Sequence, residues 1–499
     1  MKNISMLINA KDTVAQIRPE IYGHFSEHLG RCIYEGIYVG KDSSIPNENG
    51  IRKDVVEAFR NINVPVIRWP GGCFAEEYHW KDGVGPLEAR KKIVNVNWGG
   101  VIEDNSFGTH EFMDLCRQVG CKPYINGNVG SGTVQEMSEW LQYMTSDGTP
   151  MAEWRKENGQ EDAWKMEFLG VGNENWGCGG NMSPEDYATE YTKYQSFCRE
   201  YNGNKLCRIA CGPSSADYNW MEVMMKKITS GWGDNTIAGG IDLHYYTMPI
   251  WPDTDSATEF DDKLHYSTMD SAYYLDELLT RHTEIMNRYD PENKVGLVIG
   301  EWGCWHSVEN GTNPAFLYQQ NAMRDALVAA IELNIFNRHC KRVMMANLAQ
   351  SVNVLQSVLL TEGDKLIKTP TYHVFDLYKE HQNGVEVYCY TDNDKAIEEG
   401  KAPMISSSAS VKEEKMTITL TNCSLEEEAE IVCDIMHFNA AKVRARILHA
   451  DTHAFNDFDH PSDVVINEYN VDYENGKLNL IMPPCSVVEI RLLNTDYPM

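Results

Sequence analysis

Short apolar runs of strand length recur through the first 380 residues, and between them the apolar positions change to helical spacing. The runs are Glu20–Phe25, Val64–Arg68, Pro123–Asn126, Glu167–Leu169, Leu206–Ala210, Gly240–His244, Leu297–Gly300 and Arg342–Met345. Ser183-Pro184-Glu185-Asp186 supplies an N-cap serine, a proline at the first helical position and acids in the first turn. Tyr187, Tyr191, Tyr194 and Cys198 then mark one apolar face of that helix, which reads as core packing. Met323, Leu327 and Ile331 do the same in a helix around 316–336, and further helices are predicted over 52–61, 109–119, 133–145, 271–289 and 370–380. Eight strands alternating with helices predict an α/β fold, a (β/α)8 TIM barrel. No glycine-rich dinucleotide fingerprint follows the first strand, which counts against an open Rossmann sheet.

Beyond residue 380 the period changes to two. Met416–Thr421, Val443–Leu448, Lys477–Ile481 and Val487–Leu492 alternate with polar turns between them, predicting a C-terminal antiparallel β-sandwich domain over 381–499. The segment 391–413, rich in Asp, Glu, Lys and Ser, reads as a mobile surface loop. The strand-like residues 4–16 have no barrel partner, so 1–18 are expected to join the sandwich and 19–380 to form the barrel.

Composition narrows the function. A length of 499 residues suits one large and one smaller domain, and 42% hydrophobic residues suffice for packed cores. A formal charge of -29 argues against a nucleic-acid partner. The N-terminus is broken by polar residues too early for a signal-peptide core, and no uninterrupted apolar stretch is long enough to span a membrane. A cytoplasmic protein is therefore expected, with its fourteen cysteines reduced and used in core packing. Cys116/Cys121 and Cys207/Cys211 lack the accompanying histidines of a zinc site, so no metal is expected.

Two strand ends echo one another. Met166–Leu169 runs into Gly170–Gly177, which presents Asn173-Glu174, and Val295–Gly300 runs into Glu301-Trp302-Gly303. One such glutamate is as well explained by an ion pair or a helix N-cap. A second suggests two carboxylates over one pocket, because the C-terminal ends of barrel strands face the site. The other strand ends offer Glu27, Arg68, Asn126, Asn128, His244, Tyr246, Asn347 and Gln350, and nearby loops carry Trp80, Trp98, Trp176, Trp302 and Trp305. Each tryptophan taken singly fits a core as well as a sugar platform. His24, His28 and His110 read as structural, and Glu76 and Glu77 as solvent-facing loop charges. Carboxylates, amides and tryptophans, without a Ser-His pair, point to sugar chemistry. In glycoside hydrolysis one carboxyl protonates the leaving oxygen and the other attacks the anomeric carbon, with Arg68 and Tyr246 placed to hold the attacking group ionised.

Five segments together resemble the α-L-arabinofuranosidases of glycoside hydrolase family 51, in the clan of retaining (β/α)8 glycosidases. They are Ile21–Tyr34, Arg68-Trp69-Pro70-Gly71-Gly72, Gly172–Gly177, Glu301-Trp302 and Thr369–Phe375. The resemblance implies that Glu174 is the general acid/base and Glu301 the nucleophile, with Asn173 bonding the hydroxyl beside the anomeric carbon. It implies that Arg68 and Tyr246 orient Glu301, and that Glu27, His244, Trp305 and Gln350 line the arabinose subsite. Cys73 stands where some relatives carry an asparagine that contacts the sugar, which bears on substrate preference.

The expected activity is therefore a retaining, exo-acting α-L-arabinofuranosidase that releases terminal arabinofuranose from arabinan- or arabinoxylan-derived oligosaccharides. A β-xylosidase or endoglucanase of the same clan is the alternative, and a non-catalytic sugar-binding barrel a more distant one. No cofactor is expected, and self-association, as a hexamer, is expected by resemblance alone. Retention predicts carboxyl groups about 5–5.5 Å apart, against roughly 6.5–9.5 Å for inversion.

Overall fold

The structure, a computed structural model, describes residues 1–230, 236–249, 255–393, 395–396 and 400–494. Eight parallel strands close into a barrel in chain order: Gly23–Phe25, Val66–Trp69, Lys122–Gly127, Phe168–Val171, Cys207–Ala210, Gly240–Thr247, Gly296–Cys304 and Val343–Ala349. They are called strands one to eight below. Closure comes from strand eight lying against strand one, with Asn347 opposite Gly23. All eight apolar runs of the sequence are barrel strands.

Alternation along the strands separates two apolar layers. Val66, Tyr124, Phe168, Ile209, Val298, Met344 and Met345 form a small cluster of their own. Val66 lies two residues before Arg68 on strand two, so this cluster floors the barrel beneath the polar side chains at its mouth. The opposite faces pack against the surrounding helices in one continuous core.

Helix Met323–Arg338 is buried from Met323 to Asn337 on every side, because the second domain covers the face turned away from the barrel. Its polar residues are matched there: Asn334 bonds Ser406, Ser408 and Thr419, and Asn337 bonds Ser408.

The C-terminal β domain is a ten-stranded sheet that curls around its own core of Ile4, Met6, Ile8, Ile418, Leu420, Ile431, Leu480 and Ile490. Lys2–Gln16 lies inside this sheet, antiparallel to Val385–Asp392 and parallel to Ala429–Met436. The early strand therefore belongs to the second domain. Part of the segment expected to be a loop is ordered: Ile405–Lys412 pairs along its whole length with Lys415–Asn422. Its polar composition misleads because the serines are buried: Ser406 and Ser408 face Asn334 and Asn337, and Ser410 bonds His381. Residues 394 and 397–399 of that segment lie outside the described residues. Among the described residues no helix is long and apolar enough to cross a membrane.

Glu332 on the buried helix accepts a hydrogen bond from the Thr247 hydroxyl, and burial pushes its pKa up to about 8. A carboxyl whose folded pKa is raised binds its proton more tightly folded than unfolded. Its contribution to stability is thus present below the unfolded value of 4.5 and is lost as pH rises through about 8. Glu332→Gln is expected to shrink the drop in melting temperature between pH 5 and pH 9, as read by calorimetry; an unchanged drop would contradict the assignment.

Candidate active site

The end of strand seven is built around Asp242 on strand six. Its Oδ1 accepts the Gly300 N–H at 2.7 Å, and the pairing of the two strands slips by one residue there, so that His244 stands opposite Glu301. A Cβ on Gly300 would sit 2.2 Å from that carboxylate oxygen, so only glycine permits the slip. The bulge turns Glu301 into the mouth of the barrel. Strand four ends with Gly172 at φ 90° and Glu174 at φ 43°, a left-handed turn that lifts the Glu174 side chain over the same opening.

The two carboxylates meet. An oxygen of Glu174 and one of Glu301 lie within 4.8 Å of each other, and both approach His244. Arg68, fully buried, donates from Nη1 to Glu301 Oε1 at 2.9 Å and from Nη2 to Asn173 Oδ1 at 2.5 Å. Tyr246 donates its hydroxyl to Glu301 Oε2 at 2.8 Å. Two donors, one of them cationic, stabilise negative charge on Glu301. Glu174 is hydrogen-bonded to His244 Nδ1 at 2.8 Å. Burial, helped by the charge of Glu301, raises the Glu174 pKa above the usual carboxylate range, against the opposing pull of His244. Burial also disfavours charge on His244, but Glu301 and Asp242, with the hydrogen bond to Glu174, outweigh it and push its pKa up to about 10. One carboxyl is biased to keep a proton and the other is held by donors.

Glu174, Tyr246 and Glu301 line a small inner cavity whose walls are completed by Glu27, Trp98, Leu317, Gln350 and Leu355. Glu27 Oε1 accepts from the Phe74 N–H and from Trp98 Nε1, both at 3.0 Å, and Oε2 accepts from Gln350 Nε2 at 3.2 Å. Burial and the charge of Glu301 push the Glu27 pKa up to about 7. Trp305 stands edge-on to Tyr246 at 5.0 Å. It also borders the larger cleft into which the cavity opens, lined by Trp176, Ser215, Met248, Tyr273 and Tyr274. A further cavity at the opposite end of the barrel contains Glu20, Lys122, Glu167 and Arg342. Lys122 is paired there with both glutamates, and Arg342 with Asp290, so those charges serve one another.

Glu174, His244 and Glu301 also have the spacing of a metal-ligand set. However, a protonated imidazole has no free lone pair, and the Arg68 guanidinium already lies against Glu301. The donor set suits proton transfer rather than a cation.

Every strand-end candidate except Asn126, Asn128 and Asn347 reaches this mouth. Asn126 and Asn347 are enclosed within the barrel wall, and Asn128 Oδ1 accepts the Ser131 and Gly132 N–H groups to shape a loop. Trp80 stacks on Trp140, and Trp302 packs against Phe336 and Phe375, so both are core. His24 lies between Phe59 and Phe375 with its pKa lowered by burial to about 3, and His28 Nε2 accepts from Trp69 Nε1. These histidines are structural.

Two family models match the chain in series: Alpha-L-arabinofuranosidase 1 domain over residues 58–265 and Alpha-L-arabinofuranosidase C-terminal domain over residues 300–486. The intracellular exo-α-L-arabinofuranosidase of Bacteroides ovatus is 45% identical, over 98% of this chain and 96% of that one. The chain belongs to the α-L-arabinofuranosidases of glycoside hydrolase family 51. It is a glycoside hydrolase. The solved family 51 arabinofuranosidase of Xanthomonas axonopodis pv. citri is 41% identical with a TM-score of 0.96, covering 99% of this chain and all 100% of that one. An α-L-arabinofuranosidase of Thermotoga maritima, solved as an arabinose complex, is 29% identical with a TM-score of 0.87, covering 98% and 100%.

Two features of this family 51 site differ from expectation. Glu76 is not a solvent-facing charge: it is 1% exposed, and its carboxylate accepts from the loops after strands three and four. Nor are all the cysteines reduced. Cys73, just past the Gly71-Gly72 turn, is disulfide-bonded to Cys178, four residues beyond Glu174, while the other twelve are free. The pair is separated by 105 residues in sequence, and the pairing of strands two and four with strand three brings the two loops together. Both sulfurs lie close to Glu174 Oε2, at 3.9 and 3.7 Å, and Cys73 still borders the inner cavity, now as half of a cystine. Thiol titration of the denatured, unreduced protein is expected to count twelve groups, rising to fourteen after a dithiol; fourteen at the outset would show the bond absent.

Proposed function

We propose that this family 51 enzyme is a retaining, exo-acting α-L-arabinofuranosidase with Glu174 as acid/base and Glu301 as nucleophile. The observation that carries the reading is the approach of the two carboxylate oxygens within 4.8 Å over a closed-ended cavity. So close an approach of the two oxygens favours direct attack by one carboxylate, the geometry of retention, over the wider spacing that inversion needs. The asymmetry of their surroundings divides the roles. Glu301, bonded by Arg68 and Tyr246, attacks the anomeric carbon, while Glu174, with its raised pKa, protonates the departing oxygen. Glu174 then takes the proton of the water that hydrolyses the arabinofuranosyl-enzyme.

In this reading Glu27, Trp98 and Gln350 close the far end, so the sugar in the inner cavity is terminal and the action is exo. Asn173, held by Arg68, faces the hydroxyl beside the anomeric carbon. Arabinan- or arabinoxylan-derived chains leave through the outer cleft between Trp176, Tyr274 and Trp305. A closed inner cavity disfavours an endoglucanase, which needs a cleft open at both ends. An intracellular location, stated in the name of the Bacteroides ovatus relative, and self-association are proposed by similarity; fractionation and light scattering report on them.

Glu301→Ala is expected to abolish hydrolysis of an aryl α-L-arabinofuranoside. Glu174→Ala is expected to lose roughly 10²–10⁴-fold on oligosaccharides. Azide should restore turnover of Glu174→Ala on an activated aryl substrate, because attack by azide needs no general base. Wild-type rates in Glu301→Ala would sink the assignment of the nucleophile.

A further inference from the structure

We infer that Glu76 is a positioning residue for the proton-transfer step: its carboxylate holds the turn that presents Glu174. The inference rests on the acid/base reading of Glu174 given above. Glu76 ends the short turn Cys73–Glu76 after strand two. Its Oε1 accepts from the Asn173 backbone N–H and from Asn175 Nδ2 at 3.0 Å. Its Oε2 accepts from the Val129 and Gly130 N–H groups at 2.7 and 2.5 Å. One buried side chain therefore ties the loops after strands two, three and four together, and grips the residues on either side of Glu174.

The grip is needed where it acts. Glu174 is a non-glycine residue at φ 43°, and such a conformation persists only when its surroundings over-determine it. Asn173 and Asn175 are the flanking residues, so fixing them fixes the direction of the Glu174 side chain. All four partners of Glu76 are N–H donors, which a carboxylate satisfies and a glutamine cannot, since its amide nitrogen would face two of them. Burial pushes the Glu76 pKa up to about 7, while the backbone N–H groups of Gly130, Asn173 and Val129 pull it down. The Cys73–Cys178 bond tethers the opposite end of the same pair of loops. Loss of Glu76 thus leaves the loops joined and removes only their alignment.

Misalignment of an acid has a kinetic signature that general loosening lacks. An aryl arabinofuranoside with a dinitrophenolate leaving group forms the glycosyl-enzyme without protonation, whereas an arabino-oligosaccharide does not. Glu76→Gln is expected to keep kcat/KM near wild type on the dinitrophenyl substrate and to lose about 10²-fold on the oligosaccharide. Azide should raise its kcat on the dinitrophenyl substrate, as for Glu174→Ala. Equal losses on both substrates, or no loss on either, would overturn the inference. Glu76→Asp, which keeps the charge on a shorter arm, should show the same split in smaller measure and serves if the glutamine variant does not fold. Glu174→Ala run alongside separates the two claims: without a split in that variant, the acid/base reading itself fails.

Discussion

Arg68 is the interaction on which the arrangement of the site depends. A guanidinium with no solvent exposure is costly unless its charge is met, and here it is met by Glu301 from strand seven and Asn173 from strand four. The Phe25 ring from strand one lies 4.6 Å from the guanidinium carbon. One cation on strand two thereby draws together the ends of three other strands and fixes where Glu301 stands relative to Glu174. Removing either partner leaves an uncompensated buried charge, so the pair is restrained energetically as well as sterically.

Around that cation the electrostatics are arranged in opposition. Glu301 is met by the Arg68 guanidinium and the Tyr246 hydroxyl, and Glu27, Glu76 and Glu174 all have pKa values pushed upward by burial. The negative charge of Glu301 adds to burial in raising Glu27 and Glu174, so the carboxyls that share this mouth oppose one another's ionisation. Asp242 adds a structural task, since the same side chain that accepts from Gly300 also bonds His244 Nε2 at 3.2 Å. The bulge that aims Glu301 and the histidine that meets Glu174 are set by one residue.

The barrel was legible because its strands are short apolar runs with polar ends, a pattern that survives in one dimension. Helices Pro150–Glu157 and Tyr218–Ile228 escaped, although Thr149 and Asp217 both cap them by side-chain hydrogen bonds. The first is short and polar. In the second, Trp220, Met221, Met224, Met225 and Ile228 had the spacing that would have revealed it. The meeting of Glu174 and Glu301 over one mouth was legible from two echoed motifs. Glu76 was not, because a charged residue in a glycine-flanked loop looks solvated until strands three and four deliver four N–H donors to it. The disulfide was hidden for the same reason: its halves lie in separate loops that only the side-by-side pairing of strands two, three and four brings together.

The central claim is that the close pair of carboxylates works by double displacement through an arabinofuranosyl-enzyme. Proton NMR of an aryl α-L-arabinofuranoside hydrolysed in the presence of methanol tests it most directly, because a methyl glycoside does not mutarotate. Two inversions at the anomeric carbon predict methyl α-L-arabinofuranoside as the first product. Methyl β-L-arabinofuranoside would mean a single displacement and would contradict the account.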